Sequence, residues 1–211
     1  MTDVQTRLAA ALADLPLVAI LRGIAPEEAE PAAEVLGQAG FRLIEVPLNS
    51  PRPFESIALM RAKMPAEVLV GAGTVLKTAD VDQLAAIGAD LVVMPHADVA
   101  VIAAARAAGL ACLPGVATPT EAFAALAAGA SGLKLFPAEM IPPAVVKALR
   151  AVVPREVPVF PVGGVAPDTM GPYLAAGASG FGLGSALYRP GMPLAELAAK
   201  AAAFVSAWRA R

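Results

Sequence analysis

Five times along this chain an alanine-rich segment ends on a glycine and passes at once into a short apolar run. The junctions are Gln38-Ala39-Gly40-Phe41, Ala86-Ile87-Gly88-Ala89, Ala107-Ala108-Gly109-Leu110, Ala127-Ala128-Gly129-Ala130 and Ala175-Ala176-Gly177-Ala178. Glycine enters the left-handed conformation that ends a helix without a Cβ penalty, and the chain can then turn into a strand. Successive junctions lie about one helix plus one strand apart. That spacing predicts repeated βα units and a parallel sheet.

The elements follow in order. A leading helix over about residues 3–14 precedes a first strand at 17–22, and further strands are predicted at 41–48, 68–72, 91–94 and 110–113. A sixth strand lies within 129–137, a seventh at 157–162 and an eighth at 180–184. Helices open at Pro26-Glu27-Glu28, after Ser50-Pro51, near Thr78 or Asp80, at Thr118-Pro119-Thr120-Glu121, at Pro142-Pro143 and at Pro167-Asp168. Proline near the first helical position and acids in the first turn suit such starts. A fourth helix runs to Ala108, and a last one spans about 193–208. Eight strands, each followed by a helix, predict an α/β chain folded as a single (β/α)8 TIM barrel with an extra N-terminal helix, compact against the usual ~250 residues. A doubly wound open sheet is the alternative, although it needs a switch point and usually has fewer units. With no linker, low-complexity tract or charge block, residues 1–211 read as one domain.

Hydrophobic residues make up 57% and charged residues only 16% of the chain, so a large core is required and some apolar surface is left for an oligomer face. The net charge of −2 offers no basic footprint for nucleic acid. The one cysteine, Cys112, excludes a disulfide framework and thiolate metal clusters and suits a reducing cytoplasm. No run approaches the ~18 apolar residues of a membrane span. The start Met1-Thr2-Asp3-Val4-Gln5 lacks the basic and apolar regions of a signal peptide. A soluble, cytoplasmic protein is expected.

Lys134 stands between Leu133 and Leu135 in the sixth strand. Strand interiors normally exclude lysine, because burying its charge is expensive. Desolvation lowers the pKa of an amine, as a carbonyl-trapping lysine requires; a lysine snorkelling from an edge strand is the other reading. Strand alternation turns Gly132, Lys134 and Phe136 to the inside and Leu133 and Leu135 to the helices. The same parity in the second strand puts Ile44, Val46 and Leu48 outward and Leu43, Glu45, Pro47 and Asn49 inward. An amine and a carboxylate then converge as a nucleophile with a proton-transfer group, although Glu45 could also simply pair with a buried cation. Arg22, at the top of the first strand, is either a fixed cation for a carboxylate or phosphate, or a rim ion pair.

Glycine clusters Val162-Gly163-Gly164-Val165 and Gly180-Phe181-Gly182-Leu183-Gly184-Ser185 close the last two strands. They suit a phosphate cradle at those loops, or merely ease strand curvature. Neither is a nucleotide fingerprint. His96, the sole histidine, follows Pro95 at the top of the fourth strand and cannot build a metal site unaided. It reads as a pocket-lining residue, while Cys112 and Trp208 read as packing.

Leu21-Arg22-Gly23, Glu45-Val46-Pro47-Leu48-Asn49, Gly71-Ala72-Gly73-Thr74-Val75, Lys134-Leu135-Phe136-Pro137-Ala138, Val162-Gly163-Gly164-Val165 and Gly184-Ser185 together resemble the 2-keto-3-deoxy-6-phospho-sugar-acid aldolases, in register over about residues 15–190. The Pro47–Pro51 run and the Val162 before the double glycine look like that family's galactonate branch rather than its gluconate branch. The resemblance implies a metal-free, cofactor-free class I aldolase, typically a homotrimer. Its substrate would be a phosphorylated keto sugar acid, 2-dehydro-3-deoxy-6-phosphogalactonate, cleaved to pyruvate and D-glyceraldehyde 3-phosphate. The gluco epimer, or both epimers, would be the alternative. Lys134 matches the Schiff-base lysine and Glu45 the general acid/base. Arg22 and Thr74 match contacts to the pyruvoyl carboxylate, and Gly163, Gly164, Gly184 and Ser185 match the phosphate site. Asn49, Pro95, Phe136 and Val162 complete the implied substrate pocket, and the parity that Phe136 shares with Lys134 suits it to shield the imine from water. His96 departs from the asparagine more usual after that proline. More remote alternatives are a phosphosugar isomerase or epimerase, which needs no imine, and a non-catalytic phosphosugar-binding protein.

Overall fold

All five junction glycines are left-handed in the computed structural model, which describes residues 3–210, with φ of 105° at Gly40, 72° at Gly88, 75° at Gly109, 100° at Gly129 and 99° at Gly177. Each therefore ends its helix as the alternation implied. Met1 and Thr2, on which part of the signal-peptide reading rests, lie outside the described residues. The strands are β1 (Leu17–Ile20), β2 (Leu43–Pro47), β3 (Leu69–Gly73), β4 (Leu91–Val93), β5 (Ala111–Leu113), β6 (Gly115–Val116), β7 (Leu133–Leu135), β8 (Val159–Pro161) and β9 (Phe181–Leu183). The helices are α1 (Val4–Asp14), α2 (Pro26–Ala39), α3 (Pro53–Lys63), α4 (Thr78–Ala86), α5 (Val99–Ala107), α6 (Pro119–Ala128), α7 (Pro143–Arg150), α8 (Met170–Ala175) and α9 (Leu194–Arg209). At the start of α6, Thr118 Oγ1 accepts from the Glu121 N–H while Glu121 accepts from the N–H groups of Ala117 and Thr118, so proline and acid mark that helix start as read.

The expected closed eight-stranded TIM barrel is corrected by the sheet topology. Six parallel strands form a curled half-barrel in the order β5-β4-β3-β2-β1-β9, and β6-β7-β8 form a separate small sheet. Proline causes the first break. The single strand read at 110–113 continues past Pro114, whose missing N–H interrupts it. Before that residue β5 pairs with β4; after it β6 pairs with β7. At the other seam, Pro158 and Pro161 remove two donors from the β8 segment. There the Val162–Gly182 bridge, the Ser179 N–H to Val159 carbonyl bond, 2.8 Å, and the Val159 N–H to Ser179 Oγ bond, 3.1 Å, connect β8 to the β9 side.

Both sheets nevertheless bury the faces that parity assigned. Val18, Ile20, Leu43, Leu69, Val93, Leu113 and Phe160 meet in an inner cluster, whereas Ile44, Val46, Leu133 and Leu135 pack outward on the helices. Leu8 and Ala11 of α1 join the inner cluster and cover it from the strands' N-terminal side. There the buried Asp90 accepts hydrogen bonds from Arg7, from Arg61 at 2.7 Å and from the Val70 N–H at 3.0 Å. Among the described residues no helix is long and apolar enough to cross a membrane.

Candidate active site

Glu45 and Lys134 arrive from different sheets. β2 carries the carboxylate and β7 the amine, and both line one small cavity of about 10 Å³, with Val18, Ile20, Phe160 and Val162 among its walls. That is roughly the room for a single water. Glu45 is 1% exposed and Lys134 6%, so both are largely withdrawn from solvent. The edge-strand reading of Lys134 fails on this point, since β7 lies between β6 and β8.

Burial dominates the electrostatics. Desolvation pushes the Glu45 carboxyl up from its ordinary 4.5 to about 7, against the downward pull of the Lys134 and Arg22 charges. Its Oε2 is buried without a hydrogen-bond partner, which agrees with a group not locked in its ionised form. Lys134 is lowered, first by desolvation; Glu45 opposes that shift and Arg22 adds to it. An amine nearer to its free-base form therefore sits beside a carboxyl able to exchange a proton near neutrality. Phe136 lies next along the chain on the same face, its ring centroid 4.6 Å from Lys134 Nζ.

Arg22, at the end of β1, donates from Nη1 to Asn49 Oδ1 at 2.7 Å, which brings two of the expected residues into one pair at the rim. Just behind it the Gly23 N–H donates to Ser50 Oγ at 2.9 Å, so the ends of β1 and β2 are tied together. Thr74 follows β3 with φ of +55°, a strained setting for a β-branched residue. Val162 lines the cavity. Pro95, Gly163, Gly164, Gly184 and Ser185 stand outside its lining, after β4, β8 and β9. His96 is exposed.

The double glycine has a second reason to be glycine. Gly163 and Gly164 have φ of +118° and +62°, and a Cβ on Gly163 would lie 2.2 Å from Glu139 Oε2. Glu139, in the 3-10 turn after Lys134's strand, escaped the sequence reading; only its place in the run after the lysine could have flagged it. Gly73 also escaped, because nothing in the sequence tells which glycine faces the carboxylate.

A buried amine at the centre of one short strand, facing a raised-pKa carboxyl across a pocket in a parallel α/β fold, defines an enzyme class that could work through a lysine imine. Residues 8–196 match the family model described as "Aldolase: KDPG and KHG aldolase", and the chain belongs to that family. It is 50% identical over 195 residues to the probable 2-dehydro-3-deoxy-6-phosphogalactonate aldolase of Rhizobium meliloti (strain 1021), covering 92% of each chain. The 2-dehydro-3-deoxy-6-phosphogalactonate aldolase of Escherichia coli (strain K12) is 48% identical, over 92% of this chain and 95% of its own. The solved structure titled "Native KDPGal structure" superposes with a TM-score of 0.91 at 47% identity, covering 93% of this chain and 95% of that one.

Proposed function

We propose that this protein is a class I aldolase that cleaves 2-dehydro-3-deoxy-6-phosphogalactonate to pyruvate and D-glyceraldehyde 3-phosphate. The observation that carries the reading is the shared burial of Lys134 and Glu45 in one cavity. The relatives named above, and the Pro47–Pro51 run, support the galacto substrate.

The free amine of Lys134 attacks the C2 carbonyl, and the carbinolamine hydroxyl takes up a proton and leaves as water, so that a protonated imine remains. Glu45 as carboxylate takes the C4 hydroxyl proton. The C3–C4 electron pair moves into the imine, which releases the aldehyde and leaves an enamine. Glu45 returns a proton to C3, and hydrolysis frees pyruvate and the amine. A carboxyl that must both accept and donate works best with a pKa near the working pH, and about 7 fits that demand. Arg22, held by Asn49, and Thr74 face the substrate carboxylate. Gly163, Gly164, Gly184 and Ser185 hold the phosphate. Phe136, Val162 and Pro95 shape the pocket and exclude water from the imine. The enzyme works in the cytoplasm as a homotrimer, with exposed Leu76, Val99 and Phe123 among the apolar surface available to subunit contacts.

Borohydride reduction in the presence of pyruvate tests the mechanism. A stable adduct on Lys134 is expected, and an unchanged intact mass refutes the imine. Rates of pyruvate release from the galacto and gluco epimers test the substrate; a strong gluco preference overturns that assignment.

A further inference from the structure

Glycine at position 73 is unexplained by its backbone. Its φ lies outside the left-handed region and it ends a regular strand, where glycine weakens pairing and leaves no side chain to pack. What requires a glycine is space. A Cβ built there would lie 1.6 Å from Glu45 Oε2, 2.3 Å from Cδ and 2.6 Å from Oε1, so its three nearest neighbours all belong to the Glu45 carboxylate. Gly71, two residues earlier, differs: its Cβ would strike the backbone of Leu91 on β4, at 2.0 Å from the carbonyl oxygen. Gly71 serves strand packing. Gly73 serves one side chain.

We infer that Gly73 is a positioning residue for proton transfer, the berth that sets where the Glu45 carboxylate stands relative to Lys134. This rests on the reading of Glu45 as the proton-transfer group. Glu45 Oε2 has no hydrogen bond to hold it, so its place is set by shape. The wall itself is firm, because the Gly73 carbonyl accepts from the Leu48 N–H at 2.8 Å and the neighbouring Pro47 and Gly73 are in register. A methyl group there would displace the end of a flexible side chain rather than backbone. Gly73→Ala should therefore fold, with the carboxylate swung out of line.

Two partial reactions separate the roles. Borohydride trapping of pyruvate reads imine formation at Lys134. Deuterium uptake into the pyruvate methyl group, followed by NMR, reads removal of a C3 proton from the imine and its return to the enamine. For G73A we expect trapping within about threefold of the parent and exchange slowed about 100-fold, the scale of a ~1 Å misplacement of a catalytic group. The pH profile of exchange should lose or shift its limb near 7. In an E45A background, adding G73A should change exchange less than about threefold. Equal losses in trapping and exchange, the same factor in both backgrounds, or a folded G73A that exchanges normally would each overturn the inference. E45A exchanging as fast as the parent would instead refute the role given to Glu45.

Discussion

Glu45→Gln should make the protein more stable as it makes it inactive, by an amount set by pH. The folded-state pKa of Glu45, about 7, lies above its ordinary 4.5. Between those values the folded chain holds a proton that the unfolded chain has released, so stability is lost as pH rises through the window. Two and a half pH units at about 1.4 kcal/mol each give a loss of about 3 kcal/mol by pH 8. Glutamine has no proton to lose. The gap between variant and parent should therefore grow by about 3 kcal/mol from pH 4.5 to pH 8. Lys134 acts in the same direction. Deprived of the carboxylate that favours its charged form, its lowered pKa falls further, and such a group adds stability as pH rises. At ~2.1 cal/mol/K per residue over 211 residues, the gap is worth about 7 °C in Tm. Calorimetry of both proteins at the two pH values measures it. A gap that stays constant or shrinks toward pH 8 would mean that Glu45 is ionised and well solvated in the folded protein.

Two other substitutions bear on the opposite ends of the strands. Thr74→Gly should relieve a backbone strain of about 1–2 kcal/mol, partly offset by the entropy of glycine, and so raise Tm by about 1–2 °C. At the same time kcat/KM should fall at least tenfold; a variant destabilised by more than about 1 kcal/mol would show that the left-handed turn is unstrained. Asp90→Ala should cost about 3 kcal/mol, or about 7 °C, because it strands Arg7 and Arg61, whose side chains are only 18% and 15% exposed. Its kcat at 25 °C should match the parent's, and a stability loss under about 1 kcal/mol by denaturant titration would contradict the account of that cluster.

Lys134 and Glu45 were legible because their signal is local. A charged residue flanked by branched aliphatic residues (Leu133 and Leu135 for the lysine, Ile44 and Val46 for the glutamate), with period-two parity, states both that it is buried and which way it faces. The junction glycines were legible for the same reason, each ending its own helix. Sheet closure was not legible, since counting βα units says nothing of whether a ladder continues across Pro114 or past Pro158 and Pro161. The Arg22–Asn49 bond joins residues 27 apart, in the loops that follow the paired strands β1 and β2, where strand parity no longer applies. Gly73 and Glu139 matter through atoms contributed by distant segments, and a single sequence carries no mark of such approaches.

Two buried carboxylates in this fold show how burial alone does not make a reactive group. Asp90 is 4% exposed and Glu45 1%, and each feels nearby cations. Asp90 accepts from two guanidinium groups and a backbone N–H, which use both its oxygens. Those charge-assisted bonds hold α1 and α3 to the strands' N-terminal ends. Glu45 has the opposite arrangement, with one oxygen unpartnered, a glycine where a wall-filling side chain would otherwise stand, and cations that do not outweigh its desolvation. Nothing at that end fixes the proton on either side of the exchange. The satisfied cluster below allows the molecule to tolerate the unsatisfied one above, and a carboxyl with an oxygen left unpartnered is the one that can take a proton and return it.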